Sequence, residues 1–361
     1  MSAPPRPLPQ PNPTSPNWPA DPARILIRAT NWVGDAVMSL PAIRAVRERF
    51  PVAHVALIGF PWVWELYARE TFLDEFVPLT GRRGWRDFGV KFELASELRR
   101  RRFDMALLLP NSFESAALAY AAGVPDRCGY DRDGRGALLS HPVPRPRPGE
   151  TPRHESFYYL ELLRRLGWIP ALPPPGEILF ENRDAMAVAG GAKLAVAGFG
   201  GEVVGVCPGA AFGTAKRWLP ERFAEAARRV MDATGADAAV FGTPAERDVC
   251  ETVARAIGSR ARNLAGSTSL ADFIEMAAAC LLFLTNDSGS MHVASAAGTP
   301  TVAIFGATDA TATGPSSARA VVVSRKVECS PCLLRECPID HRCMLAVEPA
   351  TVAETALNLL K

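Results

Sequence analysis

The amino-acid sequence predicts an α/β protein with parallel sheets, divided into two domains. From residue 24 onward, short apolar runs alternate with helix-like patterns, which is typical of strand–helix–strand units. The chain has 361 residues, more than a single hydrophobic core usually supports. Two proline-rich stretches near the middle separate one strand–helix series from the next. We therefore expect two α/β domains that leave a cleft between them.

The first strand–helix series lies between residue 24 and about residue 122. Buried strands are predicted at RILIRAT (24–30), HVALIGF (54–60) and MALLLP (105–110). Helices are predicted near 35–49, 62–70, 91–102 and 111–122. Ligands of such sheets bind outside the carboxyl ends of the strands, so polar residues at those ends are the first candidates for function.

The second series begins near residue 203 and runs to the C-terminus. Its strands are predicted at VVGVCPGA (203–210), DAAVFGT (237–243), LLFLTND (281–287), TPTVAIFG (299–306) and ARAVVVS (318–324). Its helices are predicted at 220–234, 244–258, 269–280 and 348–361.

Proline-rich segments divide the chain. HPVPRPRPGETPR (141–153) and PALPPPGE (170–177) flank a helix-like stretch, and we place the boundary near 173–176, where consecutive prolines suit a semi-rigid linker. The first 23 residues hold nine of the 32 prolines and predict a disordered extension. The predicted scheme is therefore an extension (1–23), a first domain (24–175), a second domain (176–345) and a C-terminal helix (346–361).

Charge is unevenly distributed along the chain. The net charge of +2 divides into +5 over residues 24–175 and −3 over residues 176–361. A basic first half predicts an anionic partner, either a phosphorylated substrate or an acidic membrane surface. The densest basic cluster, residues 99–102, is equally typical of a solvated helix end. Scattered aromatic residues and a small net charge disfavour nucleic-acid binding.

The sequence also indicates where the protein works. No apolar run approaches the roughly 20 residues that span a bilayer, and the N-terminus lacks the apolar core of a signal peptide. We therefore expect a cytoplasmic protein whose eight cysteines stay reduced.

The most specific stretch is TNDSGSMHVASAAGTPTVAIFG (285–306). A predicted strand ends at Asn286-Asp287-Ser288-Gly289, and a helix of small residues follows. Backbone N–H groups at such a helix start bind anions such as a pyrophosphate, and the hydroxyls of Ser288 and Ser290 can add donors. The ordinary alternative is that Asp287 or Ser288 only caps the helix.

Two more charged residues lie at predicted strand ends. Lys216 lies between the strand that ends in CPGA and the helix that opens at Pro220, although exposure to solvent is the usual fate of a loop lysine. Glu246, in FGTPAERD, lies in the first turn of a helix, where any carboxylate is favourable. In a nucleotide site it would accept hydrogen bonds from a ribose.

Asp35 lies in RATNWVGDAVMSLP (28–41), where the first predicted strand turns into a helix. One glycine and one carboxylate do not make a glycine-rich phosphate loop. Asp35 therefore either caps the helix or takes part in chemistry. The turn alone favours the cap, whereas anion-binding motifs on the other domain favour a base.

Four cysteines cluster near the C-terminus. Cys329, Cys332, Cys337 and Cys343, with His341 among them, could surround a tetrahedral zinc, but the spacing lacks the paired CxxC of strong zinc signatures. Reduced, buried thiols are the alternative. The remaining cysteines are expected to be small core residues; they are Cys128, Cys207, Cys250 and Cys280.

Taken together, these motifs resemble those of the family 9 glycosyltransferases, the bacterial lipopolysaccharide heptosyltransferases. The resemblance rests on NWVGDAVMSLPAIRAV, PGAAFGTAKRWLPERF and NDSGSMHVASAAGTPTVAIFG, followed by CSPCLLRECPIDHRCM. It covers nearly everything from Arg24 to the C-terminus and is strongest to the heptosyltransferase II group. Three ordered motifs in two domains make it specific.

The resemblance implies a GT-B fold: two Rossmann-like domains with parallel sheets facing a central cleft. The N-terminal domain would bind the acceptor and the C-terminal domain the nucleotide sugar. The implied donor is ADP-L-glycero-D-manno-heptose, and the implied acceptor is the lipid A–Kdo–heptose inner core. Transfer would invert the anomeric carbon without a metal or other cofactor. The enzyme would act in the cytoplasm or as a peripheral protein on the anionic inner face of the cytoplasmic membrane.

The resemblance also implies roles for individual residues. Asp35 would be the catalytic base, and Lys216 would contact the donor diphosphate. Glu246 matches more loosely, as a ligand of the adenosine ribose. The donor site would be lined by Asp287, Ser288, Gly289 and His292. Residues 131–133 match the DxD pattern of metal-dependent glycosyltransferases, but they lie in a polar turn and we interpret them as loop chemistry.

Three alternatives remain open at the level of sequence. Heptosyltransferase I, or another family 9 enzyme, would share the donor motifs and differ in the loops around 80–90 and 127–150, which we expect to select the acceptor. A GT-B-like nucleotide-sugar epimerase would need no acceptor. A bilobal solute-binding protein would need export, which the missing signal and the eight cysteines disfavour.

Overall fold

A computed structural model describes residues 21–80 and 87–361. Most of the proline-rich extension predicted at 1–23, and residues 81–86 of the loop expected to select the acceptor, lie outside the described residues. Two compact units are present. The first comprises the described residues up to Asn31, Ser39–Tyr67 and Thr71–Pro174, and the second comprises Trp32–Met38, Ala68–Glu70 and Pro175–Lys361.

The first sheet has six parallel strands in the order β3-β2-β1-β4-β5-β6. In chain order, its strands and helices are β1 (Arg24–Arg28), α1 (Val33–Arg49), β2 (His54–Gly59), α2 (Pro61–Tyr67), β3 (Glu75–Pro78), α3 (Phe88–Arg100), β4 (Met105–Leu108), α4 (Phe113–Ala121), β5 (Asp126–Tyr130), β6 (His141–Val143) and α5 (Ser156–Arg165). Helix α1 begins inside the segment that belongs to the second unit. The central strands β1 and β4 are almost wholly buried, as expected for a parallel sheet covered on both faces.

The second sheet repeats this order as β12-β11-β10-β7-β8-β9, again with parallel pairing. Its elements are α6 (Arg183–Val196), β7 (Val203–Cys207), α7 (Pro220–Thr234), β8 (Asp237–Val240), α8 (Arg247–Ile257), β9 (Ala261–Asn263), α9 (Leu270–Ala279), β10 (Leu282–Asn286), α10 (Gly289–Ala296), β11 (Thr301–Phe305), α11 (Ala310–Thr313), β12 (Ala320–Ser324), α12 (Arg342–Leu345) and α13 (Pro349–Asn358). In both sheets the order reverses next to the first strand, at β1/β4 and at β7/β10. This is the doubly wound order that places ligands at the reversal point.

The prediction of parallel α/β sheets is confirmed. The structure differs from the sequence prediction in elements that have a weak apolar pattern. Strand β6 lies in a stretch that we interpreted as part of a proline-rich connection; because it is an edge strand, it tolerates Pro142. Helix α6 was not predicted, since adjacent glycines interrupt its pattern. A Cβ at Gly190 would overlap with the backbone of Glu275, so this glycine lets α6 pack closely against α9.

The arginine run at 99–102 spans the C-terminal end of α3 and the two residues that follow it. Arg101 forms ion pairs with Glu75 and Glu97, and Arg99 donates to the carbonyl of Ala121 at 2.6 Å. These contacts favour the helix-end interpretation of the cluster. Within the described ranges, no helix is both long and apolar enough to cross a bilayer.

Candidate active site

The strand order brings two polar loops together in the second unit. Strands β7 and β10 are neighbours, with Cys207 paired to Thr285, so their carboxyl ends meet at the reversal point of the sheet. The loop after β7 carries Lys216 in a short 3₁₀ turn, and Asp287 follows β10 directly. Lys216 Nζ lies 2.6 Å from Asp287 Oδ2, and the two side chains are only 13% and 5% exposed. The sequence-predicted cation and acid therefore form a buried ion pair.

Thr308 supports Asp287 from a third strand. It lies in the loop after β11, and its hydroxyl donates a hydrogen bond to Asp287 Oδ2. Thr308 is not among the residues predicted from sequence, although a Thr-Asp pair shortly after a buried strand is a signal for a polar site. Asp287 is consequently held in place by groups from the ends of β7 and β11.

Asn286 connects the two ends of the loop that carries Lys216. Its side chain is fully buried. Asn286 Nδ2 donates to the carbonyl of Pro208 at 2.7 Å, and Oδ1 accepts from the backbone N–H of Trp218 at 2.9 Å. No role was predicted for Asn286 from sequence, yet a buried amide at the end of a mostly apolar strand is a signal for such a contact.

The start of α10 leaves its first backbone N–H groups without a side-chain cap from Ser288. Ser288 is the N-cap residue, but among the described residues its side chain makes no capping bond and lies 2.6 Å from Ser290 Oγ instead. Thr285 Oγ1 lies 3.0 Å from Ser290 Oγ. The first N–H groups of a helix have no partner within the helix and carry its positive dipole end. Capping by Ser288 is therefore wrong, and Asp287 contacts Lys216 rather than capping.

Two glycines let the start of α1 approach the start of α10 within the second unit. A Cβ on Gly289 would lie 2.8 Å from Val33 Cβ, and a Cβ on Gly34 would lie 2.9 Å from His292 Cδ2. Real Cβ atoms essentially never come so close, so both positions require glycine. His292 is buried and lies against Gly34. Gly34 is the residue that precedes Asp35 in the chain.

Asp35 has the electrostatic properties of a base. Burial raises the pKa of its carboxyl group to about 6, and the positive charge of Lys216 acts in the opposite direction. The carboxyl group is therefore more basic than an ordinary aspartate, yet it is ionised at neutral pH. A carboxylate with this pKa is suited to accept a proton from an alcohol as that alcohol attacks.

Glu246 makes a capping contact with one carboxylate oxygen and lies near the end of β7 with the other. Its Oε2 accepts from the N–H and the hydroxyl of Thr243, at 2.9 and 2.8 Å, in a capping box. A Cβ on Gly209 would overlap with Oε1, so the other carboxylate oxygen faces the backbone directly after β7. The structure thus gives Glu246 a capping-box contact at the first turn of its helix, where its carboxylate was expected to be favourable, and a role toward a ribose stays a prediction.

The cysteine cluster differs from the other four cysteines. Cys329 is exposed, Cys332 and Cys337 are half-buried, and Cys343 is buried. In the part of the chain that the structure describes, no three His, Cys, Asp or Glu side chains are arranged to hold a metal ion. The other four are buried, which confirms them as core residues, and burial raises the pKa of each thiol; they are Cys128, Cys207, Cys250 and Cys280.

Comparison with known proteins identifies the family. A model described as glycosyltransferase family 9 (heptosyltransferase) matches residues 91–342. Lipopolysaccharide heptosyltransferase 2 of Escherichia coli (strain K12) is 32% identical over 83% of this chain and 87% of the relative. Lipooligosaccharide heptosyltransferase 2 of Campylobacter jejuni subsp. jejuni serotype O:2 is 27% identical over 94% of this chain and 98% of the relative.

A solved structure gives the same assignment. The structure of E. coli ADP-heptose LPS heptosyltransferase II superposes with a TM-score of 0.79 at 29% identity, covering 93% of this chain and 98% of that one. The predicted fold class, α/β of the GT-B type with two Rossmann-like domains, is thereby confirmed. The chain belongs to glycosyltransferase family 9, the heptosyltransferases, and is a glycosyl-transferring enzyme.

Proposed function

We propose that this enzyme transfers L-glycero-D-manno-heptose from ADP-heptose to the heptosyl-Kdo-lipid A inner core of lipopolysaccharide, with inversion at the anomeric carbon. The observation that carries the proposal is the buried Lys216–Asp287 ion pair at the start of α10, with Asp35 within electrostatic reach of Lys216. The relatives named lipopolysaccharide and lipooligosaccharide heptosyltransferase 2 support the donor and the acceptor class.

The donor binds at the carboxyl ends of β7 and β10 in this proposal. The diphosphate lies at the N-terminus of α10, where helix N–H groups and the hydroxyls of Ser288 and Ser290 donate to its oxygens. Lys216 contacts the same diphosphate while Asp287 holds its ammonium group in position. Gly289, which allows Val33 to approach, lines the same helix start. These groups stabilise the negative charge that develops on the departing ADP.

Two further residues complete the proposed donor site. The Oε1 of Glu246, which faces Gly209, accepts hydrogen bonds from the adenosine ribose. His292, buried on α10 against Gly34, lines the site next to the reacting sugar.

Asp35 is the proposed general base. The acceptor hydroxyl oxygen attacks the anomeric carbon from the face opposite ADP, the bond between that carbon and the diphosphate oxygen breaks, and the hydroxyl proton moves to Asp35. A pKa of about 6 keeps the carboxylate ionised at neutral pH and makes it a stronger base than an exposed aspartate.

The acceptor is proposed to bind on residues 24–175, and the donor on residues 176–345. The net charge of +5 over the first range favours a phosphorylated, anionic acceptor. It also favours peripheral contact with the anionic inner face of the cytoplasmic membrane, where a lipid-linked acceptor would be located.

The proposed function is tested by supplying ADP-heptose with either Kdo-lipid A or heptosyl-Kdo-lipid A and weighing the lipid products by mass spectrometry. We expect one added heptose on heptosyl-Kdo-lipid A and none on Kdo-lipid A. Addition to Kdo-lipid A alone would identify a heptosyltransferase I acceptor. Isomerised nucleotide sugar in reactions without acceptor would instead identify an epimerase.

A further inference from the structure

The segment that contains the four clustered cysteines, residues 329–343, lies against the loop that carries Lys216. The carbonyl of Arg335 accepts a hydrogen bond from the N–H of Ala215 at 3.0 Å, and Arg335 Nε donates to the carbonyl of Phe212 at 2.9 Å. A Cβ on Gly213 would overlap with the Arg335 carbonyl, so the two backbones are in direct contact. The position of Arg335 relative to the Lys216 loop is therefore fixed by backbone contacts.

Arg335 and Lys216 share one aromatic ring. Lys216 Nζ lies 4.9 Å from the centroid of Phe212, and the guanidinium carbon of Arg335 lies 5.2 Å from the same centroid. Lys216 is already paired with Asp287, so that pair carries no net charge. Among the described residues, no carboxylate forms an ion pair with Arg335. In this described part of the chain, Arg335 is therefore a cation without a carboxylate partner beside the Lys216 loop.

The same segment also contacts the loop on the far side of Asp287. Ser330 Oγ donates to the carbonyl of Gly306 at 2.5 Å, and the N–H of Leu333 donates to the carbonyl of Ala307 at 2.8 Å. The next residue, Thr308, donates to Asp287. Residues 329–343 thus contact both loops that position the Lys216–Asp287 pair.

We propose that Arg335 is a second diphosphate ligand of the donor and binds it together with Lys216. This inference rests on the proposed function, and it gives the cysteine-rich segment a role in donor binding. A guanidinium group donates two parallel hydrogen bonds to phosphate oxygens, which a lysine cannot do. Arg335 lies on an exposed part of the chain, so its two terminal nitrogens are accessible to a ligand while Nε stays bound to Phe212.

The test is calorimetric titration of ADP into the full-length protein and into Arg335→Ala. We expect the dissociation constant of ADP to rise about tenfold or more, as is typical for loss of a charge-assisted hydrogen bond. Adenosine, which has no phosphate, should bind both proteins equally in a ligand-observed NMR titration. Arg335→Lys should recover part of the ADP affinity. Arg325→Ala, which removes an exposed arginine ten residues away, should leave ADP binding unchanged.

Equal ADP affinity in wild type and Arg335→Ala would overturn this inference alone, because the donor site would still bind ADP. A parallel loss of adenosine affinity would also overturn it, since that result indicates a disturbed loop. Failure of the wild-type protein to bind ADP would defeat the proposed function and this inference together. If Arg335→Ala does not fold, Arg335→Gln carries the same expectation, because an amide can still donate to Phe212.

Discussion

Asp35 shows how burial changes the pKa of one carboxyl group. The residue lies in the first turn of α1, where a helix dipole and the nearby Lys216 favour its ionised form. Burial has the larger effect and raises the pKa to about 6. The outcome is a carboxylate that is ionised at neutral pH and has a higher proton affinity than an exposed aspartate.

The pH dependence of transfer should therefore show a single acidic ionisation. Because the base must be unprotonated, kcat/KM should fall tenfold per pH unit below about 6 and level off above it. The measurement is kcat/KM for heptose transfer between pH 4.5 and 8, with saturating acceptor. A profile that stays level down to pH 4.5 would show that no group with the pKa of Asp35 limits the reaction.

The same pKa predicts an effect on stability. A carboxyl whose folded-state pKa lies above its unfolded value of 3.8 binds its proton more tightly when folded, so ionisation destabilises the fold as pH rises from about 4 to 6. Asp35→Asn should accordingly melt at a higher temperature than wild type at pH 8, with the difference shrinking at pH 4. Thermal unfolding followed by circular dichroism measures this. A lower melting temperature for the variant at pH 8 would contradict the burial argument.

Lys216 should contribute both to binding and to folding. Lys216→Ala removes a cation from the diphosphate and leaves the buried Asp287 without its ammonium partner. We expect at least tenfold weaker ADP binding and a reduced melting temperature. Lys326→Ala, at an exposed position, is the matched control and should change neither quantity. Unaltered ADP affinity in Lys216→Ala would remove Lys216 from the donor site.

At the scale of elements, the ends of neighbouring strands explain why residues of the candidate site could be proposed from sequence. Lys216 and Asp287 each follow a strongly apolar strand, and two such strands in a parallel sheet end at the same edge. Elements with a weaker apolar pattern were not predicted, for physical reasons. Strand β6 has only three residues, one of which is a proline. In α6, Gly190 lowers the helix propensity but allows close packing against α9, and this tertiary contact is not visible in the local sequence.

Asn286 links these elements and should be sensitive to substitution. Asn286→Ala leaves the buried N–H of Trp218 and the carbonyl of Pro208 without their side-chain partner, at a cost of about 1–3 kcal/mol in the free energy of unfolding. The loop that carries Lys216 should then be less well positioned, and donor KM should rise. Urea unfolding and steady-state kinetics check both effects. A variant with wild-type stability would show that the amide does not hold this loop.

At the scale of the whole molecule, the two units share one strand order but differ in what they place at its reversal point. In the second unit, that point holds the ion pair and the start of α10. Two features of this unit had no local signal in the sequence: the inclusion of Trp32–Met38, and the contact of residues 329–343 with the Lys216 loop. Both depend on contacts between residues far apart in the chain, which helix and strand periodicity does not encode.

The central claim is that Asp35 acts as the base of a heptosyl transfer from a donor bound at Lys216 and α10. It is tested most directly by single-turnover transfer from ADP-heptose to heptosyl-Kdo-lipid A in wild type and Asp35→Asn, with ADP affinity measured in parallel. We predict a rate loss of about 10²- to 10⁴-fold while ADP affinity stays within about twofold, since general-base catalysis contributes about that much and Asp35 does not hold the diphosphate. Near wild-type turnover in Asp35→Asn would contradict the account.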